Sequence, residues 1–159
     1  MTITVGARLP EATLIKVGAE GLEPVTTADF FKGRRVALFA VPGAFTPTCS
    51  ARHLPTFIQH GEALKAKGID EIACTAVNDP FVMGAWAKQA EATGITMLSD
   101  GNGAFADALG LSFDGAKFGM GKRSQRYSMV VNDGVVEQLN VEAAGEFKVS
   151  GADYLLESL

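Results

Sequence analysis

With 159 residues, 47% of them hydrophobic and 20% charged, the chain has the size and apolar content of one compact domain with a sizeable buried core. Fourteen basic residues against 18 acidic ones give a net charge of −4, and without a run of lysine or arginine there is no counterion-releasing surface for nucleic acid. No segment approaches the roughly 18 apolar residues of a membrane span, and the opening MTITVGARLP lacks a basic region followed by an apolar stretch, so a cytoplasmic protein with no membrane attachment is expected.

Continuous apolar runs alternate with amphipathic stretches. RVALFAV (35–41) is short and almost uniformly apolar, as a strand covered on both faces should be. From Cys49 onward, Leu54, Phe57, Ile58, Gly61 and Leu64 recur at helical spacing, with Gly68 as the stop and Pro55 predicting an early kink. EIACTAV (71–77) is a second buried strand. Asp79 as cap and Pro80 at the first helical position then open a helix through Val82, Ala85, Trp86, Gln89 and Ala90. ITMLSD (95–100) reads as a third strand, followed by a short helix over 103–109, and SFDGAKFGMGKRS (112–124) reads as loop. YSMVVNDGVVEQLNV gives two strands joined at Asn132, Asp133 and Gly134, a hairpin signal, and Ala152 to Leu159 closes the chain as a helix. The order is α/β: a single domain over 1–159 with a central mixed sheet and helices on both faces, as in a thioredoxin-like fold.

Three motifs compete for attention and fail on spacing. GNGAFA (101–106) matches the dinucleotide fingerprint after a predicted strand, but its helix stops at Gly110 and the remaining chain is too short for a nucleotide-binding sheet. GMGKRS resembles a phosphate loop, yet Ala116 stands where the first glycine belongs and Arg123 where Ser or Thr should follow Lys122. Cys49, His53, His60 and Cys74 lack the close cysteine pair of structural zinc, so no metal or other cofactor is expected. His53 is expected to hydrogen-bond beneath a site around Cys49, and His60 to lie at a helix end or on the surface.

Two cysteines do not make a disulfide framework, and in a reducing compartment each is an inert small hydrophobe or a reactive thiol. Cys49 stands in VPGAFTPTCS (41–50). Thr46 followed by Pro47 is a helix start, a threonine at the N-cap and a proline at the first helical position, which makes Cys49 the third helical residue. The unpaired N–H groups and the positive end of the helix there favour a thiolate, at about 1 kcal/mol, so a cationic partner should add to them. The motif is T-x-x-C where disulfide exchangers carry C-x-x-C. A dithiol swap inside it is excluded, leaving one thiolate to attack an electrophile with the Thr46 hydroxyl as an orienting group. The plain alternative, Thr46 capping a helix around a buried cysteine, leaves Pro42, Gly43 and the expected loop exposure of the thiol without a purpose. Phe45, Phe81 and Trp86 are more aromatic surface than one helix start needs, and read equally as site wall or as core.

P-x-x-x-T-x-x-C, here Pro42, Thr46 and Cys49 within FAVPGAFTPTCSARHLP, resembles the active-site signature of the peroxiredoxins, and its HLP extension resembles their type II, peroxiredoxin-5-like members. The likeness extends through VNDPFVMGAW (77–86), LSDGNGAFADALG (98–110) and RYSMVVNDGVVEQLNVE (126–142). It implies a thiol peroxidase that reduces hydrogen peroxide and alkyl hydroperoxides through a sulfenic acid on Cys49. Thr46 would hold peroxide and thiolate, Pro42 would shield the pocket, Gly43 would permit close approach, and Arg126 would be the active-site arginine. Spacing alone does not separate Arg126 from Arg123. Some relatives carry a resolving cysteine in the C-terminal region, where this chain has Val149. Cys74 is therefore the only internal candidate for a second redox thiol, and its strand position favours a structural role. An external reductant is expected, glutathione with glutaredoxin or else thioredoxin, and the resemblance further implies a noncovalent homodimer. A redox sensor that oxidises once without turnover, and glutathione transfer to carbon electrophiles, are the competing readings.

Overall fold

The computed structural model describes residues 1–159. Its centre is a parallel trio, β3 (Arg35–Ala40), β4 (Glu71–Ala76) and β5 (Ile95–Ser99). On the far side of β3, β8 (Tyr127–Asn132) and β9 (Val135–Val141) add antiparallel; beyond β5, β1 (Thr13–Gly18) and β2 (Gly21–Thr26) do the same. The seven-stranded order is β2-β1-β5-β4-β3-β8-β9. This is the mixed sheet expected.

Alternation along β3 shows why its sequence is apolar throughout. Ala37 and Phe39 face one core with Cys49, while Val36, Leu38 and Ala40 face the other. The first core is covered by α2 (Leu54–Gln59), α3 (Gly61–Ala66), α4 (Pro80–Ala90) and α6 (Ala152–Glu157), and the second by α1 (Thr27–Phe31) and α5 (Ala104–Leu109). Asp79 caps α4 through Val82 N at 2.9 Å with Pro80 first in the helix, as its sequence predicts. The buried face of α4, however, carries Met83 and Trp86, while Ala85 and Gln89 are exposed. The hairpin between β8 and β9 turns on Asp133 and Gly134, whose φ of 50° and 83° are both left-handed.

Four features depart from the sequence-based expectation. The edge hairpin β1–β2 and the short α1 carry no strong periodicity and were not foreseen. The stretch 112–124 is not all loop, because β6 (Ser112–Asp114) pairs with β7 (Lys122–Ser124) as a two-stranded ribbon. The single helix expected after Cys49 is divided into a π-helical turn (Cys49–His53), α2 and α3, with His60 at the last break. Immediately before Pro55 the turn is widened, with Leu54 N–H reaching back five residues to Cys49 O; a proline ring crowds the carbonyl four residues before it, here that of Ala51, and a wider turn relieves the crowding.

The glycine motifs are occupied by the fold itself. The Asp100 carboxylate accepts from Phe105 N and Ala106 N at 3.0 and 2.9 Å, where a phosphate would sit on a dinucleotide loop. Lys122, Arg123 and Ser124 form a strand, not the start of a helix.

Candidate active site

The site grows from the carboxyl end of β3. Past β3, Val41 N still reaches Thr75 O at 3.2 Å, and the chain then turns through Pro42–Phe45 into a helix starting at Pro47. Phe45 holds a left-handed φ of 67°, a conformation that costs a non-glycine residue roughly 1–3 kcal/mol and persists because its neighbours are pinned. Ala44 N donates to Asn78 Oδ1 at 2.9 Å, and the Thr46 hydroxyl donates to Gly43 O at 2.7 Å. A side chain at Gly43 would place Cβ 3.0 Å from Thr46 Cγ2 and 3.2 Å from Met120, so glycine is what lets this turn close.

Thr46 stands at the N-cap by backbone, its carbonyl accepting Ser50 N at 2.9 Å. Its hydroxyl does not cap: it donates to Gly43 O and accepts from no N–H of the helix. Cys49 lies in the first turn, as expected. It is fully buried, which corrects the expected loop exposure. The turn that carries it packs into the same core as Leu54 and Phe57, so the sulfur sits below the surface.

Burial has not isolated the thiol. Arg126 Nη2 donates to Cys49 Sγ at 3.1 Å, and Arg126 Nη1 lies 2.9 Å from His53 Nδ1. Arg123 makes no hydrogen bond to Cys49; its Nε donates to Met120 O at 2.9 Å and its Nη1 lies beside Gly43. A guanidinium has no acceptor to offer, so His53 Nδ1 must carry a lone pair and the ring proton must lie on Nε2, 2.9 Å from Ser150 O. His53 is thereby a neutral acceptor beneath the site, walled by the rings of Phe39, Phe57 and Phe147 at 5.0, 5.8 and 5.0 Å. Burial, and then the Arg126 charge, hold its pKa down at about 3. Both nitrogens are committed, so His53 is not presented as a metal ligand.

Cys74 is buried in β4 opposite Phe39, and burial, followed by its proximity to Cys49, pushes its thiol well above the ordinary range. Trp86 is core, yet it is tied to the site, with Nε1 donating to Ser50 Oγ at 2.9 Å. Phe45 and Phe81 are exposed, at 48% and 75%, and Phe118 at 68% joins them. Pro42, Thr48, Phe113, Phe118 and Arg126 line a cleft of about 710 Å³ running toward Glu142–Glu146.

Glu142 has no expectation attached to it from spacing. Its carboxylate accepts from the backbone N–H groups of Lys148, Val149 and Ser150 and from the Ser150 hydroxyl, at 2.6–2.9 Å. Partial burial pushes this acid up, but the hydrogen bonds outweigh it and hold Glu142 below the usual carboxylate range.

A buried cysteine under a fixed guanidinium, just past the carboxyl end of β3 in a thioredoxin-like sheet, defines a thiol-based redox protein. Residues 4–156 match the Redoxin family. The chain is 49% identical over 165 residues to Peroxiredoxin-2E-2, chloroplastic, of Oryza sativa, which takes in 99% of this chain and 73% of that protein. It is 44% identical over 163 residues to Peroxiredoxin-2E, chloroplastic, of Arabidopsis thaliana, with 99% and 70% covered. The solved structure of reduced Prx3 from Vibrio vulnificus in complex with hydrogen peroxide superposes with a TM-score of 0.96 at 50% identity, covering 99% of both chains. The chain belongs to the peroxiredoxins, on their type II side, and is a thiol-dependent peroxidase. No helix is long and apolar enough to cross a membrane. The two plant relatives are named for chloroplasts, so kinship lends no support to a cytoplasmic address.

Proposed function

We propose that Cys49 is the peroxidatic thiol and that Thr46, Pro42, Gly43 and Arg126 form the pocket in which it reduces hydrogen peroxide and small alkyl hydroperoxides. The observation that carries this reading is the 3.1 Å bond from Arg126 Nη2 to Sγ, made by a guanidinium whose other arm is held by His53. Because the Thr46 proton is spent on Gly43 O, its lone pairs are left to accept a peroxide O–H and aim the O–O bond. The thiolate attacks one oxygen, an S–O bond forms, and the O–O bond breaks with its electron pair on the departing oxygen. That oxygen takes a proton and leaves as water or alcohol, while Cys49 becomes a sulfenic acid, oxidised by two electrons. Negative charge moves from sulfur to the departing oxygen, and a fixed guanidinium beside both stabilises that transfer. Sγ is buried, so peroxide enters only as the lining side chains yield. The similar Vibrio vulnificus protein was solved with hydrogen peroxide, which supports this substrate.

An external thiol completes the cycle. It forms a mixed disulfide with Cys49 and releases water, and a second thiol then restores Cys49 and departs as a disulfide. Cys74 is buried in β4 with its thiol held protonated, and Val149 has no sulfur, which supports glutathione with glutaredoxin as reductant and thioredoxin next. Two unpaired cysteines suit a reducing, cytoplasmic setting.

Steady-state consumption of hydrogen peroxide tests the reading. Cys49→Ser abolishes turnover, Arg126→Gln lowers the second-order rate about 100-fold, some 2.7 kcal/mol, and Cys74→Ser keeps turnover with glutathione and glutaredoxin. Consumption that stops after one equivalent with every thiol donor makes the protein a sensor instead. Loss of turnover in Cys74→Ser with every donor overturns external resolution.

A further inference from the structure

Between β9 and α6 the chain runs through residues 142–151 with no regular hydrogen-bond ladder. Its last part, Lys148–Ser150, is held by one side chain. All the groups that meet the Glu142 carboxylate are donors, three backbone N–H groups and one hydroxyl, so the site accepts only an anion. Ser150 is fully buried, and its carbonyl is the acceptor for His53 Nε2 at 2.9 Å. The circuit then closes on itself, because Glu142 N donates to Arg126 O at 3.0 Å. From sulfur outward it runs Cys49, Arg126, His53, Ser150, Glu142 and back to the Arg126 backbone.

We propose that Glu142 is a positioning residue for peroxide reduction: by clamping residues 148–150 it sets the Ser150 carbonyl that fixes the His53 tautomer, and through His53 it aims the Arg126 guanidinium at Cys49. The inference rests on the assignment of Cys49 and Arg126 above. Without the clamp the Ser150 carbonyl is free to shift, His53 loses the acceptor that keeps its proton on Nε2, and Nδ1 no longer reliably offers a lone pair to Arg126. Direct action on substrate is not needed. The carboxylate is engaged by its own loop, and in the side-chain circuit Ser150, His53 and Arg126 stand between it and the sulfur.

Glu142→Gln places an amide N–H₂ among donors, and the rate of hydrogen peroxide reduction should fall about tenfold, the scale of one lost hydrogen bond to a charged group. His53→Gln, the double variant Glu142→Gln/His53→Gln and Arg126→Gln are measured beside it. If Glu142 acts through His53, the double variant is no slower than His53→Gln alone, whereas a merely structural role multiplies the two losses. Long-range ¹⁵N–¹H spectra supply the direct signature, since the chain has two histidines. Wild-type His53 should carry its proton on Nε2, and Glu142→Gln should mix the tautomers. A wild-type rate in Glu142→Gln, multiplicative losses in the double variant, or a wild-type His53 protonated on Nδ1 each overturns the proposal; the last stands even if the variant does not fold. Arg126→Gln at full rate removes the site assignment itself, and the relay with it.

Discussion

His53 is neutral because an arginine that only donates and a carbonyl that only accepts leave it no alternative, and this makes its ring a reluctant base. In the unfolded chain a histidine takes up a proton near pH 6.5, while the native ring does so only near 3, with burial the leading cause and Arg126 the next; the Ser150 bond and the Glu142 charge partly oppose them. Below pH 6.5 the unfolded state therefore binds a proton that the native state refuses, so stability falls as pH falls across the window from 6.5 to 3. Between pH 7 and pH 5 the loss from this ring is about 2 kcal/mol. The charged and titratable groups around it are Arg126 and Glu142, with Cys49 across the guanidinium and Arg52 stacked on the Phe147 ring that His53 also meets. Urea midpoints at the two pH values should show wild type losing that much more than His53→Gln, and equal losses would contradict the neutral tautomer. Below pH 5 the Glu142 clamp adds a loss of the same sign, its acid being held below the ordinary range.

At the scale of elements, the parallel strands were legible because each is covered on both faces and so reads as an unbroken apolar run, and α4 because Asp79 and Pro80 mark its start. The hairpin β1–β2 was not, since its residues are mostly half-buried or exposed and its strand character comes from pairing. Cys49, Thr46 and Pro42 stand in a compact motif and were legible for that reason. Arg126 emerged over Arg123 only by family resemblance, and Glu142 not at all, because its partners are backbone N–H groups that leave no mark in side-chain spacing. The π-helical turn is the element with the most to do. It carries the buried Cys49, so an external thiol reaches the sulfur only if this turn or the side chains over it move, and single π-helical turns of this kind are frequent at functional sites. The single tryptophan reports on it through the bond from Trp86 Nε1 to Ser50 Oγ. One equivalent of peroxide should change the emission of wild type and leave Cys49→Ser unchanged, and Ser50→Ala should shift the resting spectrum. Identical spectra before and after oxidation would show that the turn stays closed.

On the scale of the whole molecule, the site lies beyond the carboxyl end of β3, and neighbouring segments carry apolar surface the core does not use. Phe45, Phe81 and Phe118 are 48%, 75% and 68% exposed; Phe45 lies on the turn after β3 and Phe81 in the first turn of α4, two segments joined by the bond from Ala44 N to Asn78 Oδ1. Two copies meeting on this face would cover on the order of 800 Å² from these rings alone, most of the roughly 1,200 Å² at which stable interfaces begin. That supports the noncovalent homodimer implied by the family resemblance. Phe81 is the residue to change. It is the second residue of α4, where an acidic side chain suits the helix N-terminus, so Phe81→Asp should spare the fold while placing two like charges in the interface. Sedimentation at micromolar concentration should give a dimer for wild type and a monomer for Phe81→Asp. Since the left-handed Phe45 precedes Thr46 directly, losing the partner should also loosen the turn that aims peroxide and lower the reduction rate. A wild-type monomer, or a Phe81→Asp protein that still sediments as a dimer, would place the association elsewhere and leave these three rings without a partner.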